Sequence, residues 1–409
     1  MPKQNVSALR LEGFDGEWET VPLNTFTERV QRKNTDLQST LPLTISAQYG
    51  LVDQITYFNN RVASANLRNY LLVENGEFAY NKSFSAGHPV GTVKRLDKYD
   101  RGVLSSLYIV FRLLEHPPID GDFLLTFFET SSWHRFVEAN SAEGARNHGL
   151  LNISAQDFLE VPVTLAPTLE EQQAIGAIFT NLDAAINQHT LKHRALQQAK
   201  TALMQRMFPQ EGQTVPELRL EGFSGEWDVV KVGAIADSFS GGTPTVGTNA
   251  FYGGDIPFIR SSEISSSFTE LTLTEAGLHS SSAKMVQPGW VLYALYGATA
   301  GEVSLAKIEG AINQAILALV PRDGFNAAYL VAWLRMNKKN ITDTYLQGGQ
   351  GNLSGALVKN LEVSVPPTLE EQQAIGAVFT NLDQLIAAEA QYIVSLKQAK
   401  TALLQRMFI

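Results

Sequence analysis

The chain has 409 residues, 44% of them apolar and 18% charged, with a formal net charge of −9 and no cysteine. Those values fit ordinary globular domains, two or a few at the usual size, and exclude a disulfide framework or a cysteine-based zinc site. The acidic balance counts against binding nucleic acid through one broad basic face, so any such contact must come from local basic loops or from partner subunits.

The first residues, MPKQNVSALRLEG, lack the apolar core of a signal peptide, and no stretch approaches the roughly 20 apolar residues of a membrane span. The expected location is therefore cytoplasmic. LRLEGFDGEW at 9–18 returns as LRLEGFSGEW at 218–227, 209 residues later. A variable region follows each opening. In the first, Asn75-Gly76 is a turn signal followed by an alternating run, and the apolar stretch Leu104–Leu114, broken by Arg112, suits a buried strand. Three of its segments have the composition of polar, ligand-facing loops. They are Gln48-Tyr49, the stretch from Lys82 through Lys94 and Arg95 to Lys98 and Arg101, and Arg146-Asn147.

Residues 167–208 read PTLEEQQAIGAIFTNLDAAINQHTLKHRALQQAKTALMQRMF and recur at 367–408 without a gap, about two thirds of the positions being identical. Pro167 and Pro367 suit a helix start, Thr168 and Thr368 can cap it, and the acidic pairs that follow suit its positive end. Apolar residues at Ile175, Phe179, Leu182, Ile186, Leu196, Leu203 and Met207 step by four and three once His189, His193 and Lys200 fill the gaps. The second copy gives Ile375, Phe379, Leu382, Ile386, Ile393, Leu396, Leu403 and Met407. A mean step of about 3.5 is the coiled-coil period. Two like units about a pseudo-twofold axis would run these helices antiparallel, with Ile175 nearer Met407 than Ile375; the alternative is that each packs on its own variable region. Lys200 and Lys400 fall on the seam, where polar residues can set register or mark a drift from the heptad. His189 and His193 have metal-ligand spacing, but the second copy has Glu389 and Ile393 there, and no metal site is expected.

The second variable region echoes the first faintly. Pro288–Tyr293 parallels Asn75–Tyr80, Gly301-Glu302-Val303 parallels Gly91-Thr92-Val93, and Asn352-Leu353-Ser354 parallels Asn152-Ile153-Ser154. Its polar candidates are Arg260 and Ser261 after the apolar run Ile256–Ile259, Tyr296 and Thr299 around a glycine turn, and Gln350 in a glycine-rich loop. Arginine can bond guanine bidentately and asparagine or glutamine can do so with adenine, whereas lysine more often meets phosphate. Solvated loop charge is the plain alternative for each. No phosphate loop, zinc-protease motif, nucleophile elbow or strand-associated cofactor loop occurs in the sequence. The chain is expected to be non-catalytic.

The duplicated Pro-x-Leu-Glu-Glu-Gln-Gln-x-Ile openings at Pro167–Ile175 and Pro367–Ile375, the two Leu-Arg-x-x-Gly-Phe-x-Gly-Glu-Trp segments, Pro257–Arg260, Gly297–Gly301 and Asn313-Gln314 together resemble the specificity subunit of type I restriction–modification systems. The resemblance covers nearly the whole chain. It implies an α+β fold in which two mixed α/β target-recognition domains, related by a pseudo-twofold axis, are separated by two long helices packed as an antiparallel coiled coil. The expected domains are 1–166 and 209–366 for recognition, and 167–208 and 367–409 for spacing and partner docking. Double-stranded DNA, two methyltransferase subunits carrying S-adenosylmethionine, and motor–nuclease subunits are the implied partners, with no cofactor in this chain. A coiled-coil scaffold that binds only protein, and a related methylation-based phage-defence complex, are the alternatives.

Overall fold

A computed structural model describes residues 7–408 except 47–48, 61, 65, 84–86, 142–150 and 347–351. The chain divides into two compact units, 1–189 with 392–409, and 190–391. Each unit takes the start of one long helix and the end of the other, so the compact bodies do not follow the order of the sequence segments. The long helices run Leu169–Met207 and Leu369–Met407, 39 residues each. At 1.5 Å per residue each is about 58 Å long.

In the first unit a four-stranded antiparallel sheet has the order Thr27–Arg29, Ile109–Leu113, Phe78–Asn81, Thr92–Arg95. The second unit repeats it as Ala236–Ser240, Ile316–Pro321, Val291–Ala294, Val303–Leu305. Tyr80 lies opposite Val93 in one sheet and Tyr293 opposite Val303 in the other, and both tyrosines are fully buried. The faint echo between the variable regions is thus a shared sheet in one register. Gly91 and Gly301 both have positive φ just before the edge strand, where a side chain is strained. Ser154 and Ser354 cap the short helices Ala155–Leu159 and Gly355–Asn360 by accepting from the third backbone N–H. The units differ around these sheets. The first adds the hairpin Leu43–Ser46 with Gly50–Asp53, and the second adds a sheet built on the strand Tyr252–Ile259.

The repeated segments make the frame, and several residues of their motif make the same contacts in both copies. Arg10 donates from Nε and Nη2 to Glu171, at 2.8 and 2.7 Å, and also binds the Gly16 and Asp15 carbonyls. Arg219 does the same with Glu371, Gly225 and Ser224. Glu171 and Glu371 are each 1% exposed, so these are buried pairs rather than surface charges near a helix end. Thr168 and Thr368 accept from the N–H of Glu171 and Glu371. Gln172 Oε1 accepts from the Asp120 N–H at 3.0 Å, and Gln372 Oε1 accepts from the Asn326 N–H at 3.0 Å. Gly176 crosses so close to the helix Gly121–Phe127 that a Cβ there would stand 2.7 Å from Asp120 Oδ1 and 2.9 Å from the Phe123 nitrogen. Gly376 crosses Asn326 and Tyr329 in the same way.

The helix ends meet antiparallel inside each unit. Ile175 and Phe179 share a core with Met407 and Phe408 in the first, and Ile375 and Phe379 share one with Met207 and Phe208 in the second. Phe179 lies 6.1 Å from Phe408, and Phe208 stacks on Phe379 at 5.8 Å. Leu182 and Leu403 flank the first of these cores, and Leu382 and Leu203 the second. Beyond these cores Ile186, His189, Ile393 and Leu396 are half-buried in the first unit, and His193, Leu196, Lys200 and Ile386 in the second. The chain ends of the openings lie on the same seam. Leu9 N–H donates to the Arg406 carbonyl and Leu218 N–H to that of Arg206, both at 2.8 Å. Trp18 and Trp227 close the cores behind them.

Candidate nucleic-acid interface

The two variable modules each rest on the helix frame of their own unit through an ion cluster. In the first unit Lys400 binds Asp183 and Glu129, each at 2.6 Å, and Glu129 also takes Lys94 at 3.1 Å. In the second unit Asp383 pairs with both Lys200 and Arg335. Asp183 and Asp383 are the same repeat position, as are Lys400 and Lys200, so one Asp–Lys pair is used twice. The seam lysines are therefore each held by a carboxylate of the other long helix. Burial alone would raise the Glu129 carboxyl, but Lys94 and Lys400 reverse this and hold it below the usual range. Burial, with Glu129 adding, pushes Asp183 up against the pull of Lys400.

Of the candidates in the first module, Tyr49 stands at the hairpin end, 39% exposed, with Lys98 Nζ 5.7 Å over its ring. Lys82 donates to the Ile153 carbonyl at 3.0 Å, and burial together with Arg29 lowers its pKa. Lys94 and Arg95 lie on the edge strand and turn onto the module's own acids. Lys94 takes Glu129, and Arg95 takes Asp97 at 2.6 Å and Asp122 at 2.5 Å. Gln48, Arg146, Asn147 and Gln350 lie outside the described residues.

In the second module Arg260 follows the strand Tyr252–Ile259 and is pinned by Glu263 at 3.0 Å and by Glu270, which raises its pKa further. Tyr296 donates its hydroxyl to the Gln314 carbonyl and pairs by backbone with Asn352. Ser261 and Thr299, 38 positions apart in sequence, come together on the wall of one hollow of about 860 Å³. Its floor is the helix frame, with Lys200 and Asp383, and its sides carry Arg335 and Lys307. Sequence reasoning named Ser261 and Thr299 but missed Arg335 and Lys307. Only a charged residue on a largely apolar helix, Ala327–Leu346, marked the first, and nothing marked the second.

Residues 224–398 match the family described as the type I restriction modification DNA specificity domain. The chain is 28% identical over 192 residues to the type I restriction enzyme MjaIX specificity subunit of Methanocaldococcus jannaschii, covering 45% of this chain and 44% of that one. It is 22% identical over 289 residues to the putative MjaX specificity subunit of the same organism, covering 68% and 64%. These matches span less than two thirds of the relatives' own length. Among solved structures, the S subunit of the type I restriction-modification system from M. genitalium superposes with a TM-score of 0.66 at 16% identity, covering 99% of both chains. A chain from a study of assembly and conformational transition in the type I system gives 0.52 at 19% identity, covering 97% of this chain and 99% of that one. The chain thus carries a type I restriction–modification DNA specificity domain at residues 224–398 and has, over nearly its full length, the fold of the specificity subunits of those systems.

Proposed function

We propose that this chain is the DNA-specificity subunit of a type I restriction–modification complex and performs no chemistry itself. Its two modules each read one half of a bipartite, asymmetric site. The observation that carries this reading is the contrast between frame and module. The motif that clamps the helix starts is duplicated residue for residue down to Arg10–Glu171 and Arg219–Glu371, while the modules keep one sheet and change the surfaces around it. Two different readers on one repeated frame suit two different half-sites. Base edges supply specificity, and phosphates supply register.

The helices would also dock two methyltransferase subunits, which bring S-adenosylmethionine and adenine modification, and a motor–nuclease subunit can join for cleavage. Half-exposed apolar residues on the helices fit that role: Leu191 and Leu385 in the second unit, Tyr392 and Val394 in the first. With partners closing on the DNA, a net charge of −9 is no obstacle. No helix among the described residues is long and apolar enough to cross a membrane, and the complex is placed in the cytoplasm, with the DNA. The test is co-expression with the neighbouring methyltransferase followed by a gel shift on genomic fragments. A sequence-dependent shift of the complex is expected. A complex that forms but shifts no fragment would make the chain a protein-only scaffold instead.

A further inference from the structure

The two ion clusters occupy matching places in the two modules but do not balance alike. Asp120 and Asn326 receive the same contact from Gln172 and Gln372. Counting on along the chain from there, Glu129 of the first unit corresponds to Arg335 of the second. The sheet registers, in which Tyr80 faces Val93 and Tyr293 faces Val303, likewise match Asp97 with Lys307. At both positions an acid in the first unit is replaced by a cation in the second.

The first unit answers its own charges. Lys94 and Lys400 are met by Glu129 and Asp183, and Arg95 is met by Asp97 and Asp122. The second unit does not. Lys200, Lys307 and Arg335 line the hollow against Asp383 and Glu302, and Glu302 is already taken by Lys338 at 2.5 Å. Arg335 spends Nε on the Val303 carbonyl and one Nη on Asp383, and its other Nη has no partner among the described residues. Lys307 is exposed and makes no ion pair among them. Serine and threonine hydroxyls from Ser261, Ser262 and Thr299 complete the wall. Surplus cations beside hydroxyl donors are the chemistry that binds phosphate oxygens.

We propose that this hollow is an anion subsite that seats one backbone phosphate of the DNA, and that the first unit, with Glu129 and Asp97 in place of its cations, has no equivalent. The inference rests on the DNA reading above and adds an asymmetry to it. The second module grips its half-site through an extra phosphate, which fixes register without reading sequence.

The test measures binding of the full chain, co-expressed and purified with its methyltransferase, to a mixed-sequence duplex across a salt series. The wild type is compared with the double variant Lys307→Gln, Arg335→Gln, with Lys307→Gln alone, and with Lys339→Gln as a control for net charge, since the Lys339 side chain is 88% exposed and pairs with Asp343 on its own helix. Loss of one phosphate contact lowers the slope of log affinity against log salt by about 0.9. The double variant should show that drop on cognate and unrelated duplexes alike. Lys307→Gln, which disturbs no fold contact, should fall between it and the control. Slopes equal to that of Lys339→Gln would overturn the subsite while leaving DNA recognition intact. A wild-type complex that binds no duplex even at the lowest salt would overturn both. Loss of binding to poly-glutamate with unchanged duplex slopes would assign the cations to an acidic protein and also overturn the proposal.

Discussion

Arg260 and Glu129 show how a charged side chain in this fold is placed by its neighbours. Two carboxylates, Glu263 and Glu270, take the Nε and Nη2 of the Arg260 guanidinium at the end of its strand, so the charge is held in place and only Nη1 has no partner among the described residues. Arg260→Ala should weaken modification through one half-site by about 1–3 kcal/mol. Methylation rates on duplexes altered in one half at a time would register this, and unchanged rates on the cognate site would remove Arg260 from the interface. Glu129 acts through stability. Its pKa lies below the ordinary 4.5, so its contribution is complete above that pH and is lost as pH falls through the folded value. Asp183, whose pKa is raised above 3.8, has the opposite sign and is relieved by acid. Glu129→Gln should cost about 1.5–3 kcal/mol at neutral pH and flatten the loss of stability below about pH 4.5, as denaturant titrations at several pH values would show. These pairings were not legible in the sequence. Lys400 and Asp183 are 217 positions apart, and no local pattern links them. The basic run around Lys94 and Arg95 was visible, but whether it faces a ligand or the module's own acids depends on which strand edge it occupies.

The elements were far more legible, because periodicity survives without knowledge of the partner. The four–three spacing from Ile175 to Met207 marks the buried and half-buried face of the helix position by position, and antiparallel packing was one of the two arrangements that the duplication allowed. What the spacing could not give is why the motif is so strictly repeated. The answer lies in three contacts made within the first two turns of the helix: Glu171 to Arg10, Gln172 to the Asp120 N–H, and Gly176 against the crossing helix. Gly176→Ala isolates the last. Alanine favours the helix by up to about 1 kcal/mol, but the added methyl meets a backbone nitrogen and a carboxylate under 3 Å away. Overpacking of that kind costs about 1–3 kcal/mol. A net loss of stability in denaturant unfolding is expected, with the same sign for Gly376→Ala. A gain at either site would mean that the helices do not cross so closely.

For the molecule as a whole, one repeated frame carries two modules of different sequence. The frame is repeated to the level of single hydrogen bonds, and the modules share a sheet but not its surroundings or its charge balance. The central claim is that each module reads its own half-site independently. Its most direct test is methylome sequencing of a strain given this gene with its methyltransferase, alongside one whose chain carries Arg260→Ala. The account predicts a bipartite site with two unlike halves on one face of the duplex, centres about 34 Å apart. It also predicts that the variant loses methylation or relaxes recognition in one half only. A single continuous or palindromic site, or a substitution in one module that changes both halves, would contradict it.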